Sequence, residues 1–283
     1  MPSYDWSEPI LASGLLSGFG SECLKLGAVK LLGDGSLSGR TAAVSVPYEN
    51  TNNKGILLRT QEALDEIVQQ LDRKGFQISI HAIGDRAVQQ VLSSYRKVIG
   101  GVGSNVNRHR IEHAGVLSPE IIQAMADMDV VVAVQPRMLF EQGDGFYNSC
   151  GRERIQWVYP YRSLIEAGVH VAGSSDNPVV SPDPVLGMRD SIMRKTEEGR
   201  VLAPEQRLDP KQALTMYNQE AAFSVFEENN LGTIAEGKQA DMVILSEDPL
   251  STPPETWEKR MRVEMTIVGG EIVYEANQFK PVK

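Results

Sequence analysis

The sequence has little of several features that mark common classes of protein. Only two of its 283 residues are cysteine, Cys23 and Cys150, so neither a disulfide framework nor a paired-cysteine metal motif is indicated. Two free thiols are typical of a reducing compartment, and we expect a cytoplasmic protein. No apolar run approaches the roughly 18 residues of a membrane-spanning helix. The formal net charge is −9, which disfavours a nucleic-acid partner because such proteins carry basic surfaces.

What is present is the composition of a globular chain with a sizeable core. Hydrophobic residues make up 41% of the sequence and charged residues 23%, both ordinary values for a soluble protein. The length is compatible with about two domains or with one large α/β barrel.

Strand-like and helix-like segments alternate along most of the chain. Short apolar or β-branched runs predict five strands, and amphipathic segments between them predict helices. This alternation is typical of a parallel sheet covered by helices. The predicted strands lie at 28–32, 77–81, 107–113, 129–135 and 169–173, and the predicted helices at 60–74, 86–98, from Ser118 onward, and at 161–167.

The pattern changes after Pro210. Residues 211–227 are predicted to form one helix, and apolar runs at 241–245 and 265–274 are predicted to be β-strands. Gly269 and Gly270 divide the second run and predict a tight hairpin turn. We therefore expect an α/β domain over residues 1–229 and part of a small β domain over residues 230–283.

Several polar residues stand where the predicted parallel strands end, which is where α/β enzymes place their active sites. Imidazole and carboxylate groups suit zinc and similar divalent ions. Each residue has an ordinary alternative: a buried histidine bonded to a carbonyl, or an aspartate in a turn before Asn-Pro. A lysine inside the run AVKLL is costly to bury unless it is paired or modified. The residues concerned are Lys30, His81, His113, Gln135 and Asp176.

His109 and His113 are four residues apart and would share one metal ion only on a helix. The alternation around Ile111 favours a strand, on which they lie about 13 Å apart at roughly 3.3 Å per residue. Only His113, nearer the strand end, is then a candidate ligand. We interpret His109 and His170 as structural.

Eight motifs in this order resemble the amidohydrolase superfamily, and within it the amidohydrolase-3 branch that includes N-substituted formamide deformylases. The resemblance implies a metal-dependent hydrolase built on a (β/α)₈ TIM-type barrel with a small β-sandwich domain. The motifs are VKLLGDGSLSGRTA (29–42), HAIGDRA (81–87), RIEHA (110–114), VQP (134–136), YRSLIEAGV (161–169), GSSDNPV (173–179), LTMYNQEAA (214–222) and LGTIAEGKQADMVIL (231–245).

The resemblance also implies roles for individual residues. Lys30 would be carboxylated and bridge two metal ions, with His81 and His113 binding the second ion. Asp176 would bind the first ion and transfer a proton during hydrolysis of a small-molecule amide or another non-peptide C–N bond. Zinc is the expected metal, with manganese or iron as alternatives. Arg40 and Gln135 are candidate substrate-binding residues, although loop residues without such a role fit the pattern equally well.

One part of the family pattern is missing. The family's first strand carries an HxH pair of metal ligands, and this sequence contains no HxH. The match begins before the fourth barrel strand, so we expect about five of eight strands and the C-terminal part of the β-sandwich. Two open sheet edges would favour association, either between copies or with a missing N-terminal segment. A non-catalytic protein that retains part of the metal site is the alternative, and deamination or isomerisation on the same scaffold remains open.

Overall fold

The chain folds around a five-stranded parallel sheet whose strands follow one another in chain order. The structure, a computed structural model, describes residues 1–6, 8–100 and 104–276. All five predicted strands are confirmed, although the third, fourth and fifth are shorter than expected. The strands are β1 (Val29–Leu32), β2 (Ile78–Ala82), β3 (Arg110–His113), β4 (Val131–Val134) and β5 (Val171–Gly173).

Helices connect these strands, and their ends follow the sequence signals. The Thr60 hydroxyl accepts the Ala63 N–H at the start of the second helix, and Ser118 caps the fourth helix, with Pro119 as its first residue. Both caps satisfy backbone donors that a helix start leaves unpaired. The helices up to the end of the sheet are α1 (Glu8–Ser13), α2 (Gln61–Arg73), α3 (Asp85–Arg96), α4 (Pro119–Asp127), α5 (Arg137–Arg154) and α6 (Tyr161–Glu166).

Helix α5 was not predicted from the sequence, and neither was α7 (Pro184–Met193). Gly143 and Gly145 lower the helix propensity of α5. Gly151 interrupts the helix with a φ of 76°. Tertiary packing therefore decides a segment that local propensity leaves ambiguous.

The two faces of the parallel sheet differ in chemistry. One face is apolar and belongs to the main hydrophobic core that the helices cover: Val29, Leu31, Ile78, Ile80, Ala82, Ile111, Val132, Val134 and Val171. The alternate positions on the first three strands are polar except for Leu32 at the end of β1: Lys30, Ser79, His81, Arg110 and Glu112. Because successive side chains of a strand point to opposite faces, this alternation collects the charged groups on one side of the sheet.

The C-terminal part contains two helices where one was predicted. The expected helix over 211–227 is wrong: α8 (Pro210–Tyr217) ends at Asn218, whose φ of −115° and ψ of −81° are not helical. A second helix, α9 (Gln219–Phe223), follows at once. Residues 224–227 are not helical, because the chain turns there toward the small β unit.

The small unit is a three-stranded antiparallel sheet in the order β6–β7–β8. Its elements are β6 (Met242–Leu245), α10 (Trp257–Arg260), β7 (Val263–Val268) and β8 (Glu271–Glu275). Gly269 and Gly270 have φ values of 58° and 85°, so the predicted Gly-Gly hairpin turn is confirmed. Residues 277–283 of the predicted domain lie outside the described residues.

The outer edge of β1 is not fully open, contrary to the expectation of two free sheet edges. Ser3 forms a parallel bridge with Lys30, and the Lys30 N–H donates to the Pro2 carbonyl at 2.9 Å. At the other end of the sheet, β5 packs against α8 and α9. In the described ranges, no helix is long and apolar enough to cross a membrane.

Candidate metal centre

His81, on β2, has a ring orientation that its hydrogen bond determines. Its Nε2 lies 2.9 Å from the Gly35 carbonyl oxygen, in the loop after β1. A carbonyl can only accept, so Nε2 must carry the hydrogen. The lone pair of neutral His81 is therefore on Nδ1, and Nδ1 is the atom available to a metal ion.

His113 ends β3 and is held in the same way through its other nitrogen. Its Nδ1 lies 2.6 Å from Gln135 Oε1. The Gln135 amide nitrogen donates to the Ala133 carbonyl and to Ser174 Oγ, at 3.0 and 2.8 Å, so the orientation of this amide is determined. Oε1 must then accept from His113 Nδ1, and the lone pair of His113 is on Nε2.

The backbone turns His113 toward His81. Strand alternation alone would place His113 on the apolar face with Ile111. His113 and Ala114 instead have φ values of 78° and 49°, an unfavourable conformation for residues other than glycine. The two imidazole rings consequently lie 4.5 Å apart between centroids, at 71° to each other. Strain of this kind is concentrated at functional sites.

Both the position and the protonation state of His113 suit a metal ligand. Burial, together with the nearby positive charges of His81 and Lys30, lowers the pKa of His113 from 6.5 to about 3. The imidazole is therefore neutral at physiological pH, and only a neutral imidazole can bind a metal ion.

Lys30 and Asp176 interact electrostatically with this pair. Burial lowers the pKa of Lys30, while the Glu112 and Asp176 carboxylates raise it. Burial raises the pKa of Asp176, which Lys30 and His81 oppose. Asp176 follows β5 and has a φ of 53°, a second left-handed position among the candidate ligands.

Glu112 was not identified from the sequence, although it is a carboxylate on the polar face of the sheet. It accepts hydrogen bonds from Ser79 Oγ at 2.5 Å and from Arg110 Nε at 2.7 Å, and it is buried. Alternation within RIEH could have found it, because Arg110 and Glu112 occupy alternate positions on one strand. Glu112 and Arg110 form a buried charged pair on the face of the sheet that carries Lys30.

The two candidate substrate-binding residues occupy different surroundings. Arg40 lies in the loop after β1, and its guanidinium donates to Ser149 Oγ and the Asn148 carbonyl of α5, at 3.3 and 3.4 Å. Among the described residues, no hydrogen bond joins the Arg40 side chain to His81 or His113. Gln135 does contact the pair. Its Oε1 accepts from His113, and its Nε2 donates to the Ala133 carbonyl and to Ser174 Oγ. A substrate contact by either residue stays a prediction.

His109 and His170 have the surroundings expected of structural residues. His109 is buried, accepts the Ile78 N–H at 3.2 Å and lies 3.0 Å from Asp72 Oδ1. His170 Nδ1 lies 2.8 Å from Glu220 Oε2, and its ring stacks on Phe223 at 3.9 Å.

Comparison with known proteins places this arrangement in a family. A sequence model described as the amidohydrolase family, of the amidohydrolase-3 type, matches residues 6–274. The chain belongs to the amidohydrolase family.

Relatives of this chain include proteins from bacteria and from one plant, Arabidopsis thaliana. It is 30% identical to YtcJ of Bacillus subtilis (strain 168) over 89% of the chain and 48% of YtcJ. It is 28% identical to the N-substituted formamide deformylase of Arthrobacter pascens over 76% of the chain and 40% of that enzyme. The chain thus spans about half the length, or less, of the curated relatives it matches.

Solved structures agree with this placement. The crystal structure of an uncharacterized metal-dependent hydrolase from Pyrococcus horikoshii OT3 superposes with a TM-score of 0.80 at 28% identity. The match covers 89% of this chain and 51% of that protein. The five-stranded sheet is consistent with part of an α/β barrel.

The donor set of this amidohydrolase fits one part of a divalent metal site. His81 and His113 present two imidazole nitrogens from neighbouring strands, and each ring is held through its other nitrogen, as is usual for metal-binding histidines. Within the part of the chain that the structure describes, no group of three or more His, Cys, Asp or Glu side chains is placed to hold a metal ion. The described residues therefore bring together two candidate ligands of such a site.

Proposed function

We propose that this amidohydrolase is the metal-binding C-terminal part of a hydrolase that acts on amide-type, non-peptide C–N bonds. The observation that carries the proposal is the pair of histidine rings, with centroids 4.5 Å apart, at the carboxyl ends of two neighbouring strands. Family membership and the metal-dependent hydrolase structure support it. The relative named as an N-substituted formamide deformylase supports the substrate class.

The proposed ligands are Lys30, His81, His113 and Asp176. His81 would bind through Nδ1 and His113 through Nε2, since the other nitrogen of each ring is engaged. Lys30 would bind as the carbamate, which the neutral amine that burial favours forms by adding to carbon dioxide with loss of one proton. We propose zinc as the metal, with manganese or iron as alternatives.

A divalent ion bound here would supply a water of lowered pKa and would polarise the substrate carbonyl. The chain itself would move the proton. Asp176 has a raised pKa, so its carboxylate holds a proton more readily than an exposed aspartate does. It would accept the proton from the attacking water and return it to the leaving nitrogen.

A second reading is a non-catalytic protein that retains part of the site. It is favoured by the absence, among the described residues, of a group of three candidate metal-binding side chains. An N-terminal segment with an HxH pair would complete the site. The two readings therefore differ in whether such a segment joins this chain.

Zinc binding by the purified, metal-free chain tests the site. We expect roughly one zinc ion per chain, because the His81 and His113 nitrogens would hold one ion whose coordination water can complete. His81→Gln and His113→Gln should each abolish binding, whereas His170→Gln, a matched imidazole loss outside the site, should not. Zinc binding that survives both site variants would refute the assignment.

Catalysis needs a separate assay, in which the chain is mixed with a polypeptide that carries the HxH segment. Formamides, N-acyl amino acids and cyclic amides are the substrates to test. Turnover that depends on Asp176 is expected. A folded complex without turnover on any of these substrates would favour the non-catalytic reading.

A further inference from the structure

Asp34 is a buried carboxylate, only 2% exposed, that joins two loops at the carboxyl end of the sheet. Its Oδ2 accepts the Ala43 and Gly84 N–H groups at 2.9 and 2.8 Å, and its Oδ1 accepts the Ile83 N–H at 3.0 Å. Three backbone donors therefore occupy this carboxylate. Asp34 is accordingly not a metal ligand, although it stands beside the site.

The loops that Asp34 joins are in close contact. Ala43 belongs to the loop after β1, and Ile83 and Gly84 belong to the loop after β2. A Cβ atom at Gly84 would lie 2.0 Å from the Ala43 carbonyl oxygen, so only glycine permits this approach. Because the two loops pack so closely, their buried N–H groups need an acceptor within the protein, and the Asp34 carboxylate is that acceptor.

The same carboxylate lies next to His81. Asp34 Oδ1 is 3.4 Å from His81 Nε2. The adjacent residue, Gly35, provides the carbonyl that accepts from Nε2 at 2.9 Å. Holding Asp34 in place therefore also holds the Gly35 carbonyl in place. The Gly35 carbonyl oxygen and Asp34 Oδ1 are both acceptors, so both favour a hydrogen on His81 Nε2.

We propose that Asp34 is a positioning residue: through the two loops and the Gly35 carbonyl, it holds His81 in the Nε2–H tautomer, with the Nδ1 lone pair directed to the metal. This inference rests on the proposed function for the identity of the ligand. The position of the hydrogen on His81, however, can be measured without any metal. The alternative is that Asp34 only stabilises the loops.

The test is the tautomer of His81 in the metal-free protein, read from two-bond ¹H–¹⁵N correlations of the histidine rings. The sequence has four histidines, so His→Gln variants assign the signals. Asp34→Asn replaces one carboxylate oxygen with an amide donor and removes at least one of the three hydrogen bonds. We expect pure Nε2–H in the native protein and a mixture of tautomers in Asp34→Asn.

Asp65→Asn is the matched control. Asp65 is also a buried carboxylate, and it accepts from Ser94 Oγ at 2.7 Å and Gln61 Nε2 at 2.9 Å, between α2 and α3. It lies outside the site, so its loss should leave the His81 tautomer unchanged. A folded Asp34→Asn that keeps pure Nε2–H, or a native His81 that is Nδ1–H, overturns the proposal.

Zinc affinity provides the second measurement, with zinc alone as the probe and a competing chelator. Loss of a residue that orients a metal ligand weakens binding by roughly 10–100-fold, and we expect this for Asp34→Asn but not for Asp65→Asn. Unchanged affinity despite a changed tautomer would overturn the positioning role. If the native chain binds no zinc, the proposed function fails, while the tautomer measurement still decides whether Asp34 holds His81.

If Asp34→Asn does not fold, the His81 tautomer of the native protein still tests the proposal, since Nδ1–H overturns it, and hydrogen exchange tests the contacts on which it rests. The amides of Ala43, Ile83 and Gly84 should be protected, because all three are bonded to Asp34. Exchange at the rate of open loops would overturn the proposal.

Discussion

Removing the charge of Glu112 tests whether the polar face of the sheet is an interacting network. Glu112 is buried and accepts from Ser79 Oγ and Arg110 Nε. Burial acts to raise its pKa, but the charges of Arg110 and Lys30 and the hydrogen bonds outweigh burial, so its pKa lies below the usual value of 4.5. Glu112→Gln keeps the shape of the side chain and leaves the buried Arg110 guanidinium without this carboxylate.

The expected loss of stability is large. Removing one partner of a buried ion pair costs about 3–5 kcal/mol, because the remaining charge is left uncompensated. At roughly 2–4 °C per kcal/mol, the melting temperature should fall by about 6–20 °C. Since the folded pKa is depressed, this stabilisation is present above the unfolded pKa and is lost as pH falls through the folded pKa. The difference between native protein and variant should therefore be full at pH 7 and shrink in acid below about pH 4.

Urea unfolding of both proteins at neutral pH, repeated below about pH 4, measures this difference. Glu66→Gln, on the exposed side of α2, removes the same charge from the surface and should change little. If Glu112→Gln costs less than about 1 kcal/mol at neutral pH, the carboxylate is not the essential partner of a buried cation. The same conclusion follows if its effect is independent of pH.

Three further substitutions test other parts of the structure. The hydrogen bond to Glu220 raises the pKa of His170. This interaction therefore stabilises the folded protein below about pH 6.5, and the stabilisation is lost as pH rises through the raised pKa. His170→Gln should lower the melting temperature more at pH 6 than at pH 9, and the reverse order would contradict this sign. Leu71→Ala, fully buried on α2, should cost about 2–5 kcal/mol in urea unfolding, whereas Leu24→Ala, 78% exposed, should cost little; equal losses would contradict the assigned core. Asp209→Ala removes the capping box of α8 and should cost about 1 kcal/mol, and an unchanged urea midpoint would show that the cap contributes nothing.

The sequence determined the local structure wherever a short-range signal was strong. Apolar runs placed all five strands of the parallel sheet, and Thr60 and Ser118 marked two helix starts. Gly269 and Gly270 marked the hairpin because their backbone conformations are unfavourable for other residues. The candidate ligands Lys30 and His81 also followed from the sequence, since parallel strands expose their carboxyl ends at one edge of a sheet.

Only the tertiary structure decided how these residues meet. Alternation along β3 would have turned His113 away from His81, and the positive φ values at its end reverse that direction. Asn218 breaks a segment whose apolar spacing predicts one continuous helix. Asp34 reaches Gly84 across 50 residues of sequence, a hydrogen bond that no local pattern encodes. The physical reason is common to all three: long-range packing and the need to pair buried polar groups outweigh local preferences of a fraction of a kcal/mol to about 1 kcal/mol per residue.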